Sequence, residues 1–167
     1  PYLPPAPESN DGGVSEAGGF AEGGSLYALG LIHGSQAGSA SDKRKETHDF
    51  LLNHLRISHA NEPISHGAAL GVGLTGLGTN SLSALNELKE LLYTGSAVSG
   101  EAAGIAMGLI LVGSGAGNVH NNLDTSTADE INEIVSELKT YARETQHEKI
   151  IRGIVMGLAL MQYGQEE

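Results

Sequence analysis

Two helical patterns of apolar and polar positions alternate along the chain. The first is apolar and glycine-rich nearly all round, as in residues 99–113, where Gly100, Gly104 and Gly108 recur every four positions on one helix face. A helix that is apolar all round is buried on both sides, whereas one with a single leucine stripe forms a solvated outer layer. The patterns predict inner helices near residues 22–33, 63–77, 98–112 and 147–163, and outer helices near residues 44–58, 81–93 and 128–143.

Capping residues support several of these boundaries. Pro63 suits the first turn of a helix, where a backbone N–H has no intrahelical partner, and Ser81 can cap the helix that follows it. Ser96 or Ser99 can open the next helix, and residues 127–130, Thr-Ala-Asp-Glu, fit a capping box. No stretch alternates in a sustained way between apolar and polar residues, so little or no strand is expected.

Glycines inside the inner helices need an explanation, because each costs about 1 kcal/mol relative to alanine. We expect this cost to be offset by the close approach of a second backbone, which only a missing side chain permits. Four related segments place a glycine before leucine, and self-similarity at 20–50 residues indicates a repeat array with loop insertions. These repeat glycines are Gly30, Gly73, Gly108 and Gly157, separated by 43, 35 and 49 residues.

Together the patterns predict an all-α fold, in which αα-hairpins stack in two layers as an α-solenoid arc. About four repeats should occupy residues 20–167, after a flexible Pro- and Gly-rich linker or loop at residues 1–19. Residues 36–45 and 114–127 are interpreted as inserted loops. Because the chain begins without Met and ends shortly after a repeat glycine, we expect a fragment of a longer array.

Charge and composition narrow the possible partners. Nine basic and 20 acidic residues give a formal net charge of −11, which disfavours nucleic acid because phosphate binding needs a basic surface. The chain has no cysteine, hence no disulfide and no thiolate metal site. Its longest apolar runs, near residues 67–77 and 102–112, are shorter than the roughly 20 residues of a membrane span, so no membrane partner is expected.

Several patterns that could carry chemistry fit structural roles better. Residues 71–76, Gly-Val-Gly-Leu-Thr-Gly, match a dinucleotide-binding pattern, but they lie inside a predicted helix where that pattern needs a preceding strand. Four histidines, at positions 48, 54, 59 and 66, lack the spacing that pairs metal ligands on one helix face. Ser35 and Ser114 lack the nucleophile-elbow sequence, and the glutamates at 130, 133 and 137 suit a solvated face. We therefore expect no catalytic, cofactor-binding or metal-binding residues.

Four segments carry a resemblance to a known family: residues 23–33, 64–79, 97–114 and 144–164. In this order, and with the polar lead-in ETQHEKIIRG, they resemble the proteasome/cyclosome repeats of large non-ATPase base subunits of the 26S proteasome regulatory particle. With the outer helices, the resemblance covers nearly everything after Gly19. It implies an α-toroid of two concentric helical rings with the glycine-rich helices inside.

The resemblance also implies a function. It indicates a non-catalytic scaffold of the regulatory particle, in the cytoplasm and nucleus, that serves ubiquitin-dependent protein degradation. The implied partners are the ATPase ring, lid subunits and ubiquitin receptors, and the family supplies no catalytic residue or cofactor. The alternative is an unrelated helical-repeat module that binds a protein or peptide.

The ends of such an array should expose apolar faces, since arrays need polar capping repeats for solubility and neither end here looks like one. Exposed faces of this kind drive association, so we expect the isolated fragment to self-associate through them. The residues expected at these faces are Leu26, Leu29 and Ile32 at one end, and Ile154, Val155, Leu158 and Met161 at the other.

Overall fold

Seven α-helices make up the part of the chain that the computed structural model describes, residues 16–34, 41–115 and 125–164. Within these ranges there is no strand, and none of the helices is long and apolar enough to cross a membrane. The predicted all-α class is therefore confirmed. The helices are α1 Glu16–Gly34, α2 Ser41–Ile57, α3 Glu62–Thr75, α4 Leu82–Thr94, α5 Ala97–Ile110, α6 Thr125–Glu144 and α7 Glu148–Met161.

The helices form two layers. The odd-numbered helices pack side by side as an inner layer in the order α1, α3, α5, α7, and the even-numbered helices lie on them as an outer layer. Each outer helix contacts the inner helix that follows it in the chain, so that α2 packs on α3, α4 on α5 and α6 on α7. These stacked αα-hairpins form the α-solenoid arc that the alternating patterns predict.

Helix α5 shows why the inner helices are apolar all round. It lies between α3 and α7 in the inner layer and is covered by α4 from outside. Gly100, Gly104, Gly108 and most of its alanines are buried as a result. Small residues predominate because packed neighbours on three sides leave little room for side chains.

The outer helices instead bury one stripe of large side chains. Charged residues of α4 and α6, such as Glu90 and Glu130, face the solvent. Full burial of one such aliphatic side chain contributes about 1.5–3 kcal/mol, so this stripe supplies much of the hydrophobic core. Its buried members are Leu85, Leu88, Leu91 and Leu92 in α4, and Ile131, Ile134, Val135 and Leu138 in α6.

Three predicted helix starts are confirmed at the level of single residues. Ser81 caps α4 by accepting a hydrogen bond from the backbone N–H of Ala84 at 3.5 Å. Ser96 caps α5 in the same way, with the N–H of Ser99 at 3.1 Å. Pro63 lies in the first turn of α3, directly after the cap and the first helical residue.

Helix α1 begins earlier than its periodicity predicts. It starts at Glu16, so the last four residues assigned to the linker at 1–19 are helical. The physical reason is that Gly19 is buried against the side chain of Asn61, before α3, and this contact stabilises an additional turn. Residues 1–15 of the predicted linker lie outside the described residues.

The two predicted insertions are shorter than expected where the structure describes them. Helix α2 begins at Ser41 and α6 begins at Thr125, which makes residues 41–45 and 125–127 helical. The capping-box prediction is wrong, because Thr127 lies inside α6. Residues 125 and 126 are exposed, so the period of buried apolar positions, which begins at Ala128, does not reveal this first turn. Residues 35–40 and 116–124 lie outside the described ranges.

Candidate functional site

The inner helices approach one another at the repeat glycines. A Cβ atom built on Gly30 would lie 2.6 Å from the Cα of Gly71, and one on Gly73 would lie 2.7 Å from the Cα of Ala106. Real side chains do not reach such distances, so backbone atoms themselves make the contact. The close approach explains how the cost of interior glycines is offset.

The contact between α5 and α7 has a different register from the one implied by aligning the four Gly-Leu segments of the sequence. Gly108 lies directly against Gly157. Since Gly73 contacts Ala106 in the preceding junction, Gly157 occupies the position of Ala106 and not that of Gly108. The residue of α7 that corresponds to Gly108 is therefore Ala159, two positions later.

Glycines in the turns after the inner helices support this register. Gly78, Gly113 and Gly164 have positive φ angles of 67°, 72° and 76°, a conformation that favours glycine. Each lies five residues after the equivalent position of its helix, and for Gly164 that position is Ala159. Gly164 is the residue in the sequence from which this register could have been predicted.

These turns also join successive repeats through backbone hydrogen bonds. The N–H of Gly78 donates to the carbonyl of Leu109 in α5 at 3.1 Å, and the N–H of Gly113 donates to Leu160 in α7 at 3.2 Å. Carbonyls at a helix C-terminus lack intrahelical partners, so each turn caps the next inner helix. A second N–H adds to each cap, from Asn80 to Ile110 at 3.2 Å and from Gly115 to Met161 at 2.8 Å.

A pair of serine hydroxyls is buried between α3 and α5. The Oγ atoms of Ser65 and Ser99 lie 2.8 Å apart, and both side chains are inaccessible to solvent. Ser65 donates to the carbonyl of Glu62 at 3.1 Å, which makes Ser99 the donor between the two hydroxyls. The sequence analysis missed this pair because it considered Ser99 only as a possible helix start, and no local pattern relates it to Ser65, 34 positions earlier.

An imidazole ties α2 to the end of α3. The Nδ1 of His48 lies 2.9 Å from the Oγ1 of Thr75, whose own hydroxyl donates to the carbonyl of Gly71 at 2.9 Å. His48 Nδ1–H is therefore the donor. Burial is the main cause that lowers the pKa of His48 below its ordinary 6.5, and Arg44 adds to this while Asp49 opposes it.

A groove of about 430 Å³ on α6, beside Tyr93 of α4, marks the outer surface. Tyr93 and Tyr141 form its aromatic wall, with ring centroids 4.8 Å apart. Lys89 Nζ and Glu137 Oε2 form an ion pair beside it at 2.9 Å. Burial and the Glu137 carboxylate raise the pKa of Tyr93. The acidic residues of the groove are Glu133, Glu137 and Glu144.

A second groove, of about 470 Å³, crosses the inner helices α1, α3 and α5. It is mainly apolar, and its polar side chains are Glu62 and His66. A concave apolar surface of this kind is typical of a site where another molecule or chain segment binds. Its apolar walls include Phe20, Tyr27, Pro63, Leu70 and Val98.

The predicted exposure of the end helices is only partly right. Ile32 is 61% exposed and Val155 is 55% exposed, as expected. Leu26, Ile154 and Met161 are buried, so that part of the prediction is wrong. The glycine junctions bring α1 against α3 and α7 against α5, and these three side chains lie inside the contacts.

The residues weighed for catalysis or metal binding have these positions in the described part of the chain. Across the described ranges, no group of three or more His, Asp or Glu could hold a metal ion. Residues 71–75 lie in α3, packed between α1 and α5, where a dinucleotide has no access. Ser114 lies in the turn after α5, and Ser35 lies outside the described residues.

Comparison with known proteins gives a consistent result. A family model described as proteasome/cyclosome repeat matches residues 67–101, from α3 through α4 into α5. The 26S proteasome non-ATPase regulatory subunit 1 homolog A of Arabidopsis thaliana is 46% identical over 168 residues, which is the whole chain. The 26S proteasome non-ATPase regulatory subunit 1 of Drosophila melanogaster is 42% identical over 149 residues, or 89% of the chain.

A fungal relative matches the chain at a lower identity. The 26S proteasome regulatory subunit rpn2 of Schizosaccharomyces pombe is 36% identical over 169 residues and again matches the whole chain. The chain spans only 12–14% of the length of these three relatives. The repeat match, the helical array and the identity along the whole chain agree: the chain carries a proteasome/cyclosome repeat at residues 67–101 and is similar throughout to a segment of 26S proteasome non-ATPase regulatory subunit 1.

Proposed function

We propose that the chain acts as a non-catalytic scaffold segment of the 26S proteasome regulatory particle. The observation that carries the proposal is the 46% identity along the whole chain to a relative named as a 26S proteasome non-ATPase regulatory subunit. As part of this proposal, the array forms an arc of a closed toroid and works in the cytoplasm and nucleus.

The different roles of the two layers support a scaffold function. The inner helices use their faces for backbone contacts with one another, as at Gly73 and Gly108, and this fixes the relative position of every hairpin. The outer helices present charged surfaces on that rigid frame, where partners can bind. The partners we propose are the ATPase ring, lid subunits and ubiquitin receptors of the particle.

A segment exchange in fission yeast tests the proposal. The matching segment of S. pombe rpn2, which is 36% identical, is replaced by this chain. We expect the chimera to co-purify with the ATPase and lid subunits and to support degradation of a ubiquitinated substrate. A chimera carrying Gly108→Leu is the matched control, and it should be lost from the particle because its inner junction cannot close.

The alternative function, an unrelated module that binds a protein or peptide, predicts a different result. The chimera would then be folded and soluble but free of the other regulatory-particle subunits. Circular dichroism of the purified chimera distinguishes this outcome from simple misfolding. A folded, unincorporated chimera would contradict the scaffold proposal.

A further inference from the structure

The groove between the outer helices α4 and α6, called the outer groove below, combines aromatic rings with carboxylates. It has a volume of about 430 Å³, and a smaller cavity of about 170 Å³ adjoins it along α6. An exposed aromatic pair in a concave surface distinguishes this region from an ordinary solvated helix face. The residues of the outer groove used below are Tyr93 of α4 and Glu133, Glu137, Tyr141 and Glu144 of α6.

The charges of α6 are segregated about this groove. Three of its glutamates line the groove, whereas its two basic residues, Lys139 and Arg143, do not. Of these three carboxylates, only that of Glu137 has an ion-pair or hydrogen-bond partner within the described ranges, the ammonium of Lys89. The groove therefore carries negative charge that the molecule itself does not neutralise.

The neighbouring valley of the outer surface, between α2 and α4, differs in charge. There the Nε of Arg56 lies 2.7 Å from the Oε1 of Glu87. Helix α2 also carries the basic run at residues 43–45. Acidic and basic groups thus occur together in that valley, and the excess of carboxylates in the outer groove is a local feature and not only a result of the net charge.

The outer groove is internal to the repeat array. Its walls are two outer helices of this chain, and these cover the inner helices α5 and α7. In a longer array, the outer helix of a following hairpin would pack on the side of α6 away from α4. The outer groove would then remain on the surface, so its occupant is a partner and not a neighbouring repeat.

A guanidinium group matches both components of this surface. Arginine stacks on aromatic rings and binds carboxylates through two parallel N–H···O bonds, and Tyr93 is 44% exposed. Within the described ranges, no group of three or more acidic or histidine side chains could hold a metal ion. The carboxylates therefore suit several separate cationic groups better than one ion.

The spacing along α6 indicates the form of the partner. At 1.5 Å per residue, Glu133 and Glu144 are separated by about 16 Å along the helix axis. An extended segment advances about 3.3 Å per residue, so about five residues span this distance. Arginines at alternate positions of such a segment point to one side and recur about every 7 Å. This interval is close to the rise of about 6 Å between Glu133 and Glu137.

We propose that the outer groove binds an extended segment of a partner protein that carries arginines at alternate positions. One guanidinium stacks on Tyr93, and others pair with Glu133 and Glu144. Lys89 competes with the segment for Glu137. Opposite charges on the two surfaces also accelerate their encounter. The inference does not rest on the proposed proteasome function, because it uses only the groove's own residues.

An NMR titration of the isotope-labelled chain with a blocked hexapeptide of alternating arginine and serine tests the proposal. The titration is made at physiological salt, which screens long-range attraction. The backbone amide signals of Tyr93 and of residues 133–144 should shift. The same peptide with citrulline, the neutral isostere of arginine, should leave them unchanged. Shifts confined to other helices, or none at millimolar peptide, would overturn the proposal.

Single substitutions separate the groove from general attraction to an acidic chain. Glu133→Gln and Glu144→Gln should each weaken the Kd of the peptide about two- to fivefold, the range of one exposed ion pair. Tyr93→Leu should weaken it by a similar factor, about two- to fivefold, because the cation–π contact is lost. Glu46→Gln removes the same charge from an exposed position on α2 and should leave the Kd unchanged. Equal weakening by Glu46→Gln and Glu133→Gln would overturn the proposal.

A substitution of Lys89 should act in the opposite direction. Lys89→Gln releases Glu137 from its ion pair, so the peptide should bind more tightly than to the wild-type chain. An unchanged or weaker affinity would overturn the role assigned to Glu137. Helix content by circular dichroism verifies that each variant is folded.

Discussion

Helices α4 and α5 are neighbours in one hairpin, yet they are held in different ways. Helix α5 meets α7 through backbone atoms at Gly104 and Gly108, where no side chain can change its rotamer. Helix α4 is held by leucine side chains such as Leu88, which can repack. The comparison teaches that the two layers should tolerate substitutions of opposite kinds, the inner layer resisting added volume and the outer layer resisting lost volume.

The largest effect should come from adding volume to the inner layer. In Gly108→Leu the new Cβ would overlap the Cα of Gly157, and overpacking of this kind costs more than the usual 1–3 kcal/mol when backbone must move. We expect the cooperative unfolding transition to be lost in thermal and urea melts.

The control for this substitution is Gly24→Leu, a change from the same residue type in an inner helix. Its Cβ meets open space, and the gain in helix propensity should stabilise the monomer by up to about 0.8 kcal/mol. Equal melting temperatures for the two variants would show that the backbone contact at Gly108 does not matter.

Removing volume from the outer layer should have the next largest effect. Leu88→Ala deletes a side chain that is inaccessible to solvent, and large-to-small changes at such sites cost about 2–5 kcal/mol. Urea unfolding should show this loss with the cooperative transition retained. Leu82→Ala in the same helix is the matched control, and it should cost less because Leu82 is only partly buried.

Removing the hydrogen bond between the two buried serines should lower the unfolding free energy by less than removing a buried leucine. Ser99→Ala removes the donor to Ser65, and the loss of one buried hydrogen bond costs about 1 kcal/mol. The double variant Ser65→Ala/Ser99→Ala should cost less than the sum of the single variants, because both unsatisfied partners are gone. Strictly additive free energies of unfolding in the double-mutant cycle would argue against a direct hydroxyl–hydroxyl bond.

The smallest effect should be confined to acidic pH. Burial lowers the pKa of His48 in the folded state, so the unfolded chain binds its proton more readily. The stability that neutral His48 contributes is present above the ordinary pKa of 6.5 and is lost as pH falls through the folded-state pKa. His48→Gln should reduce the loss of unfolding free energy between neutral and mildly acidic pH, and an unchanged slope would refute this assignment.

The sequence predicts the helical elements well because the period of apolar residues reports burial directly. Pro63, Ser81 and Ser96 are recognisable starts, because a first-turn proline and a capping serine act through local chemistry without help from distant residues. The start of α1 at Glu16 was not predictable in this way, since Gly19 owes its helical state to Asn61 in another hairpin.

The contacts between helices were harder to predict from the sequence than the helices themselves. The pairing of His48 with Thr75 joins residues 27 positions apart, and no local pattern encodes it. The register of α7 was obscured by Gly157, which looks like the repeat glycine although Ala159 holds that position. Both cases involve the relation between helices, which a periodicity confined to one helix does not contain.

The turn glycines have a consequence for how such an array can change length. Gly78 caps α5 and Gly113 caps α7, so the same donor serves consecutive repeats. An in-frame excision of residues 79–113 would remove α4 and α5 and place Gly78 before α6, with its N–H equivalent to that of Gly113. The carbonyl of Leu160 would regain its donor from the preceding repeat, whereas an excision of another length would shift that donor out of register. Gain or loss of genetic material in this chain is therefore expected to proceed in whole hairpins.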